Sequence, residues 1–214
     1  MYKLIIFDLD GTIADTDRVI VKSYLELYKL YRPDYKPQIS KIKTFSGPPL
    51  DQTLTAEFPD YDLDFIRKEY KRISKNNYIK YLKTFRNCRP FLEKLKKNGY
   101  KISIATSKIY DGTVFSLKLL KFDKLFDYFV TADTIDVPKP APNCVFNIIE
   151  HYGVNKEETL FVGDTWYDYK CARAAGVNVA IMTFMKREFN EDFNPDFKTK
   201  SFRKLYKYIE NYGK

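Results

Sequence analysis

The side chains best suited to chemistry fall in four short polar stretches. Asp8 and Asp10 flank Leu9 in Asp8-Leu9-Asp10-Gly11-Thr12, and residues two apart in an extended chain point to the same side. Both carboxylates therefore face one point, and Gly11 allows the chain a sharp exit. Asp164 and Asp168 stand four apart in Gly163-Asp164-Thr165-Trp166-Tyr167-Asp168, a spacing that brings both to one face when a helical turn begins near Asp164. Such an acidic cluster repels itself without a cation. Hard oxygen ligands in a chain whose one histidine is His151 point to Mg2+, which retains waters and commonly bridges to a phosphate. The Thr106 hydroxyl, with backbone amides near Ser107 and Lys108, can make an anion cradle. Lys139 lies between Pro138 and Pro140, whose restricted backbone gives its ammonium a stiff mount.

These stretches need a scaffold that brings them together. Apolar runs of strand length recur at residues 3–7, 101–105, 128–130, 159–162 and 177–182, with helical patterns between several of them. The alternation predicts an α/β fold: five parallel strands flanked by helices. Open parallel sheets bind ligands beyond the carboxyl ends of their strands. The four polar stretches follow the first four runs.

About 90 residues separate the first two runs, far more than one crossover helix needs, so part of that stretch must form a layer of its own. It reads as a helical cap. Val19, Ile20, Leu25, Leu27 and Leu30 pattern one helix, which begins near Asp15, Thr16 or Asp17 and ends before Pro33; others are predicted over residues 51–58 and 62–77. The turn-rich segment Phe45-Ser46-Gly47-Pro48-Pro49-Leu50 is either a plain connection or a loop that reaches toward a ligand.

Composition narrows the class. The 214 residues are 44% hydrophobic and 17% aromatic, ample for a buried core. Cys88, Cys144 and Cys171 are too scattered for a disulfide framework or a zinc site, which favours a reducing cytoplasm. The apolar run at residues 4–7 is cut off by Asp8, so neither a signal peptide nor a membrane span is expected. The net charge of +9 is compatible with an anionic substrate, a nucleic acid or a lysine-rich surface. The dense tail of Lys198, Lys200, Arg203, Lys204 and Lys207 reads as a solvated helix face.

Together the four stretches resemble the haloacid dehalogenase-like superfamily, in its phosphatase branch with a helical cap inserted after the first strand. Asp8-Leu9-Asp10-Gly11-Thr12 is similar to the DxDGT motif, Thr106 to the second motif, Lys139 to the third, and Gly163 to Asp168 to the GDxxxD motif. The resemblance implies a Rossmann-like catalytic core over residues 1–15 and 83–214, with an all-helical cap over 16–82. It implies Asp8 as the nucleophile that forms an aspartyl-phosphate and Asp10 as acid and base. Mg2+ would be held by Asp8, the Asp10 carbonyl and Asp164, with Asp168 orienting that shell. Thr106, Ser107 and Lys139 would bind the phosphoryl group, Lys108 contributing more through its amide than its side chain. Phe45, Ser46, Gly47, Pro48 and Leu50 resemble the branch's substrate-specificity loop.

The expected substrate is a small phosphorylated metabolite: phosphoglycolate, a nucleotide, a sugar phosphate or pyrophosphate. A phosphomutase of the same superfamily is the alternative within this chemistry. Asp10 separates the chain from haloacid dehalogenases and phosphonate hydrolases, which carry other residues there. Outside it stand a non-enzymatic phosphate sensor and a nucleic-acid-binding protein, both disfavoured. A nucleic-acid binder rests on net charge alone. Two stretches depart from the family pattern: Asn87-Cys88-Arg89-Pro90, and Thr183-Phe184-Met185-Lys186 after the last apolar run.

Overall fold

The computed structural model describes residues 1–189 and 192–212. The chain opens with β1 (Leu4–Phe7) and a two-residue strand β2 (Ala14–Asp15), then runs through four helices, α1 (Asp17–Tyr31), α2 (Ile39–Lys43), α3 (Leu50–Glu57) and α4 (Leu63–Tyr81). Strand β3 (Lys83–Thr84) returns antiparallel to β2. Alternation follows: α5 (Cys88–Lys97), β4 (Lys101–Ala105), α6 (Tyr110–Leu119), β5 (Phe129–Val130), α7 (Asn143–Tyr152), β6 (Thr159–Gly163), α8 (Trp166–Ala175) and β7 (Asn178–Met182). Strand β8 (Phe197–Thr199) and α9 (Phe202–Asn211) complete it.

The main sheet is parallel throughout, in the order β5-β4-β1-β6-β7-β8. Period-two alternation sorts β1 between two cores. Ile5 and Phe7 pack with Phe91, Leu92 and Leu95 of α5 and with Leu205 and Ile209 of α9. Leu4 and Ile6 face Val145 and Ile148 of α7 and Ala172 of α8. All four β1 residues are buried, the signature of a central strand covered on both faces.

The sheet has one more strand than the apolar runs predict. β8 is three residues long with an exposed Lys198, too short and polar to register as a strand pattern. This corrects the expectation of one charged helix face from Lys198 onward: Lys198 is in β8, Lys200 precedes α9, and Arg203, Lys204 and Lys207 alone lie on the helix.

The four helices between β2 and β3 have a core of their own. Ile20, Tyr24, Leu27 and Tyr28 of α1 recur at helical spacing and meet Ile66, Tyr70 and Ile73 of α4, with Ile42 and Leu54 between them. Aromatic contacts dominate, with Tyr24 centred 5.0 Å from Tyr70 and 4.8 Å from Phe45. The chain enters and leaves this layer side by side through the β2–β3 pair, where the Thr84 hydroxyl also donates to the Ile13 carbonyl at 2.8 Å.

Candidate active site

Three of the four predicted polar stretches begin where a strand stops. The Asp8 amide still donates to the Val162 carbonyl and the Thr106 amide to the Val130 carbonyl, so these residues are the last held by the ladder before their chains diverge. Asp164 follows β6 directly, and Lys139 reaches the same edge from the long loop after β5. Gly11 takes φ +86°, and a Cβ there would meet Asp164 Oδ2 at 2.2 Å. That close approach, which a side chain would block, lets the turn after β1 nestle against the end of β6.

Lys139 Nζ donates to Asp8 Oδ1 and to Asp168 Oδ1, each at 2.6 Å. Asp8, Asp164 and Asp168 offer carboxylate oxygens within 4.8 Å of one another, all buried. Asp168 Oδ2 accepts from the amides of Asp164 and Thr165 and from the Thr165 hydroxyl, while Thr165 caps α8. Asp164 accepts from Thr12 Oγ1 at 3.1 Å and from Arg187 Nε at 2.8 Å. The structure thus brings Asp8, Lys139, Asp164 and Asp168 into one cluster.

A cleft of about 650 Å³ opens above it, lined by Asp8, Asp10, Thr106, Ser107, Lys108 and Lys139 from the sheet edge. The helical layer supplies the facing wall, including Tyr24, Tyr70 and Tyr78. The predicted loop forms part of that wall, since Phe45, Ser46, Gly47, Pro48 and Leu50 all line the cleft. Asp164 and Asp168 are not among the lining residues. Gly47, at φ +129°, brings the loop so near the core that a Cβ would lie 3.3 Å from Thr165 Cγ2.

Burial dominates the electrostatics. It pushes the Asp8 carboxyl well above the usual aspartate range, opposed by Lys139 and reinforced by Asp168 and Asp164. It carries Asp164 up to about 7 against the pull of Arg187. Burial also works against the Lys139 charge, but Asp168 and Asp8 outweigh it and hold the ammonium more firmly protonated than usual. Asp17 shares Arg187 at 3.0 Å, so four carboxylates (Asp8, Asp17, Asp164, Asp168) share two cations. With all four ionised, two negative charges are left over among hard oxygen donors. That balance fits a divalent ion such as Mg2+.

Three cleft-lining residues each carry a buried polar atom with no hydrogen-bond partner: Asp10 Oδ1, Ser46 Oγ and Ser107 Oγ. Buried polar groups are seldom left so, and atoms of this kind around a cavity are suited to a ligand. Asp8 and Asp10 line the same cleft with different partners, since Asp10 Oδ2 pairs with Lys108 Nζ at 2.9 Å. Lys108 departs from expectation here. Its amide donates to Thr106 Oγ1 at 3.2 Å, and its ammonium makes the pair with Asp10.

Sequence reasoning missed Arg187, which joins Asp164 and Asp17 and donates to the Lys43 carbonyl at 2.8 Å. It also missed Tyr78, whose oxygen accepts from Lys108. The one hint of Arg187 was the unusual Thr183-Phe184-Met185-Lys186 beside it; nothing local marked Tyr78.

Comparison with known proteins agrees with this arrangement. The sequence profile described as haloacid dehalogenase-like hydrolase matches residues 5–182. Pyrophosphatase PpaX of Bacillus cereus (strain AH820) is 30% identical over 196 residues, covering 90% of this chain and 89% of its own length. A haloacid dehalogenase-like family hydrolase from Streptococcus pneumoniae superposes with a TM-score of 0.83 at 22% identity, over 97% of this chain and 98% of that one. CbbY from Rhodobacter sphaeroides, solved in complex with phosphate, gives 0.82 at 16% identity, over 96% of each chain.

Proposed function

The chain belongs to the haloacid dehalogenase-like hydrolases and acts on phosphate esters, and from that premise we propose that it is a Mg2+-dependent phosphatase of small phosphorylated metabolites that works through an aspartyl-phosphate on Asp8. The carrying observation is the cleft, which Asp8, Asp10, Ser107 and Lys139 line together, Asp8 paired with Lys139 and buried oxygens of Asp10 and Ser107 lacking a hydrogen-bond partner. Residues 16–82 act as the cap and the rest as the catalytic core.

An Asp8 carboxylate oxygen attacks phosphorus in line, forming the O–P bond of the aspartyl-phosphate as the bond to the leaving oxygen breaks. Asp10 gives its proton to that oxygen. Water then attacks the phosphorus and passes a proton to Asp10; inorganic phosphate leaves and Asp8 is regenerated. Lys139, Thr106 and Ser107 hold the phosphoryl oxygens as charge builds on them. Asp168, fixed by the α8 turn, orients Lys139 and the Asp164 backbone. Asp8, the Asp10 carbonyl and Asp164 would hold Mg2+, which when bound supplies positive charge between an anionic nucleophile and an anionic substrate.

Pyrophosphate is the first substrate to try, given the similarity to PpaX. The aromatic wall also suits an organic leaving group, so phosphoglycolate, nucleoside monophosphates and sugar phosphates belong in the same screen. Three buried free thiols accord with a reducing cytoplasmic setting. Among the described residues no helix is long and apolar enough to cross a membrane.

The test is phosphate release across that panel with Mg2+, for wild type and Asp8→Asn. The wild type should release phosphate from at least one compound, and Asp8→Asn should lose on the order of 10³-fold or more, as removal of a nucleophile does. Undiminished release by Asp8→Asn would reject the assignment.

A further inference from the structure

Lys108 is a half-buried cation that the mechanism above does not use. Its Nζ lies 2.9 Å from Asp10 Oδ2 and donates to the Tyr78 hydroxyl at 2.5 Å. Three separate parts of the chain meet there: the turn after β1, the loop after β4, and α4 of the helical layer. The Lys108 and Asp10 side chains are 15% and 18% exposed.

The lysine stem also has a prepared path. Gly112 stands in the first turn of α6, where glycine costs about 1 kcal/mol relative to alanine. A Cβ at Gly112 would approach Lys108 Cγ and Cδ at 3.2 and 3.3 Å, so its absence leaves room for the stem. The ammonium thus holds Asp10 through Oδ2, while Oδ1 is buried without a partner and the residue itself lines the cleft.

We infer that Lys108 and Tyr78 are positioning residues that hold the Asp10 carboxyl in place for the leaving oxygen, and that Tyr78 makes this placement depend on the helical layer lying over the sheet edge. The inference rests on the role of Asp10 as acid. An acid must sit within hydrogen-bond reach of the oxygen it protonates, and small misplacements cost large factors in rate. A carboxyl tethered through one oxygen has lost the rotation that would swing it out of place. Because part of the tether comes from α4, lifting the helical layer would remove the Tyr78 contact and loosen the acid before products leave.

The experiment compares kcat/KM for phenyl phosphate and p-nitrophenyl phosphate, which reports the chemistry through the first irreversible step. Nitrophenolate leaves with little help from an acid, whereas phenolate needs the proton more. Asp10→Asn serves as reference, and thermal unfolding monitors the fold of each variant. Lys108→Met should lose about 10- to 100-fold on phenyl phosphate, at the lower end of what general acids contribute, and less than about 3-fold on p-nitrophenyl phosphate. Tyr78→Phe should show the same selectivity at roughly 5-fold, and Lys108→Arg should recover part of the lost rate. Tyr78→Phe carries the test alone if Lys108→Met does not fold.

Equal losses on both esters, or no loss, with Asp10→Asn still selective for the poorer leaving group, would overturn the inference and leave the proposed chemistry intact. An unselective Asp10→Asn, or a wild type inert toward both esters, would overturn both.

Discussion

Lys139 holds together two carboxylates that would otherwise repel each other in a buried site. Removing one partner from a buried ionic group leaves uncompensated charge, at a cost of about 3–5 kcal/mol. Lys139→Met should therefore lower the unfolding free energy by about that much in denaturant titration, as well as weaken phosphate binding. A fall under about 1 kcal/mol would mean that the carboxylates had found other partners or taken up protons.

Asp164 gives the site a pH signature when divalent ions are chelated. Its folded-state value is raised from 3.8 to about 7 by burial, so the folded protein holds this proton more tightly than the unfolded chain. Its contribution to stability is then fully present below about pH 4, is lost as pH rises to about 7, and is flat above that. The stability difference between wild type and Asp164→Asn should follow that course, with a slope of at most about 1.4 kcal/mol per pH unit. Mg2+ should raise the melting temperature of wild type most above pH 7, where the carboxylate is ionised. A melting temperature unmoved by Mg2+ at pH 8 would argue against a metal held by Asp8 and Asp164.

At the scale of elements, α8 shows a cap serving structure and site together. Thr165 receives the Asp168 amide, and Asp168 reaches back to the Thr165 amide and hydroxyl, closing a capping box. The same Asp168 carboxylate then presents its other oxygen to Lys139. Thr165→Val should cost about 1 kcal/mol in thermal unfolding through loss of the cap. It should also lower turnover, because Asp168 loses one of the donors that hold it. Loss of stability with unchanged turnover would confine Thr165 to a structural role.

Across the whole molecule, the cleft exists because two separately built bodies of apolar packing face each other across the Asp8 edge of the sheet. Two chain crossings, joined by the short β2–β3 pair, link the helices to the rest. Few backbone bonds would need to change for the helical layer to tilt about them, the usual construction of a hinge. Hydrogen exchange should then show residues 44–50 gaining amide protection when Mg2+ and vanadate are added together, with strands β1 and β6 unchanged. Equal protection with and without them would indicate a cleft that stays closed.

The periodicity of this chain determined its parallel sheet, the helical insertion and the edge where the polar residues gather, because strand and helix periods act locally and punctuation by glycine and proline is local too. Asp8, Asp10, Thr106 and Asp164 stood out for the same reason, each following closely on the end of an apolar run, while Lys139 stood out through its flanking prolines. Strand β8 was not, since it exists by pairing with β7 rather than by its own pattern. Nor were Arg187 and Tyr78, which reach the cluster from a loop and from a helix far away in sequence. Which oxygen of Asp10 is held, and which cation compensates which carboxylate, depends on distances across separate elements. Only packing in three dimensions decides those, because Coulombic and hydrogen-bond energies follow separation in space and carry no record of separation along the chain.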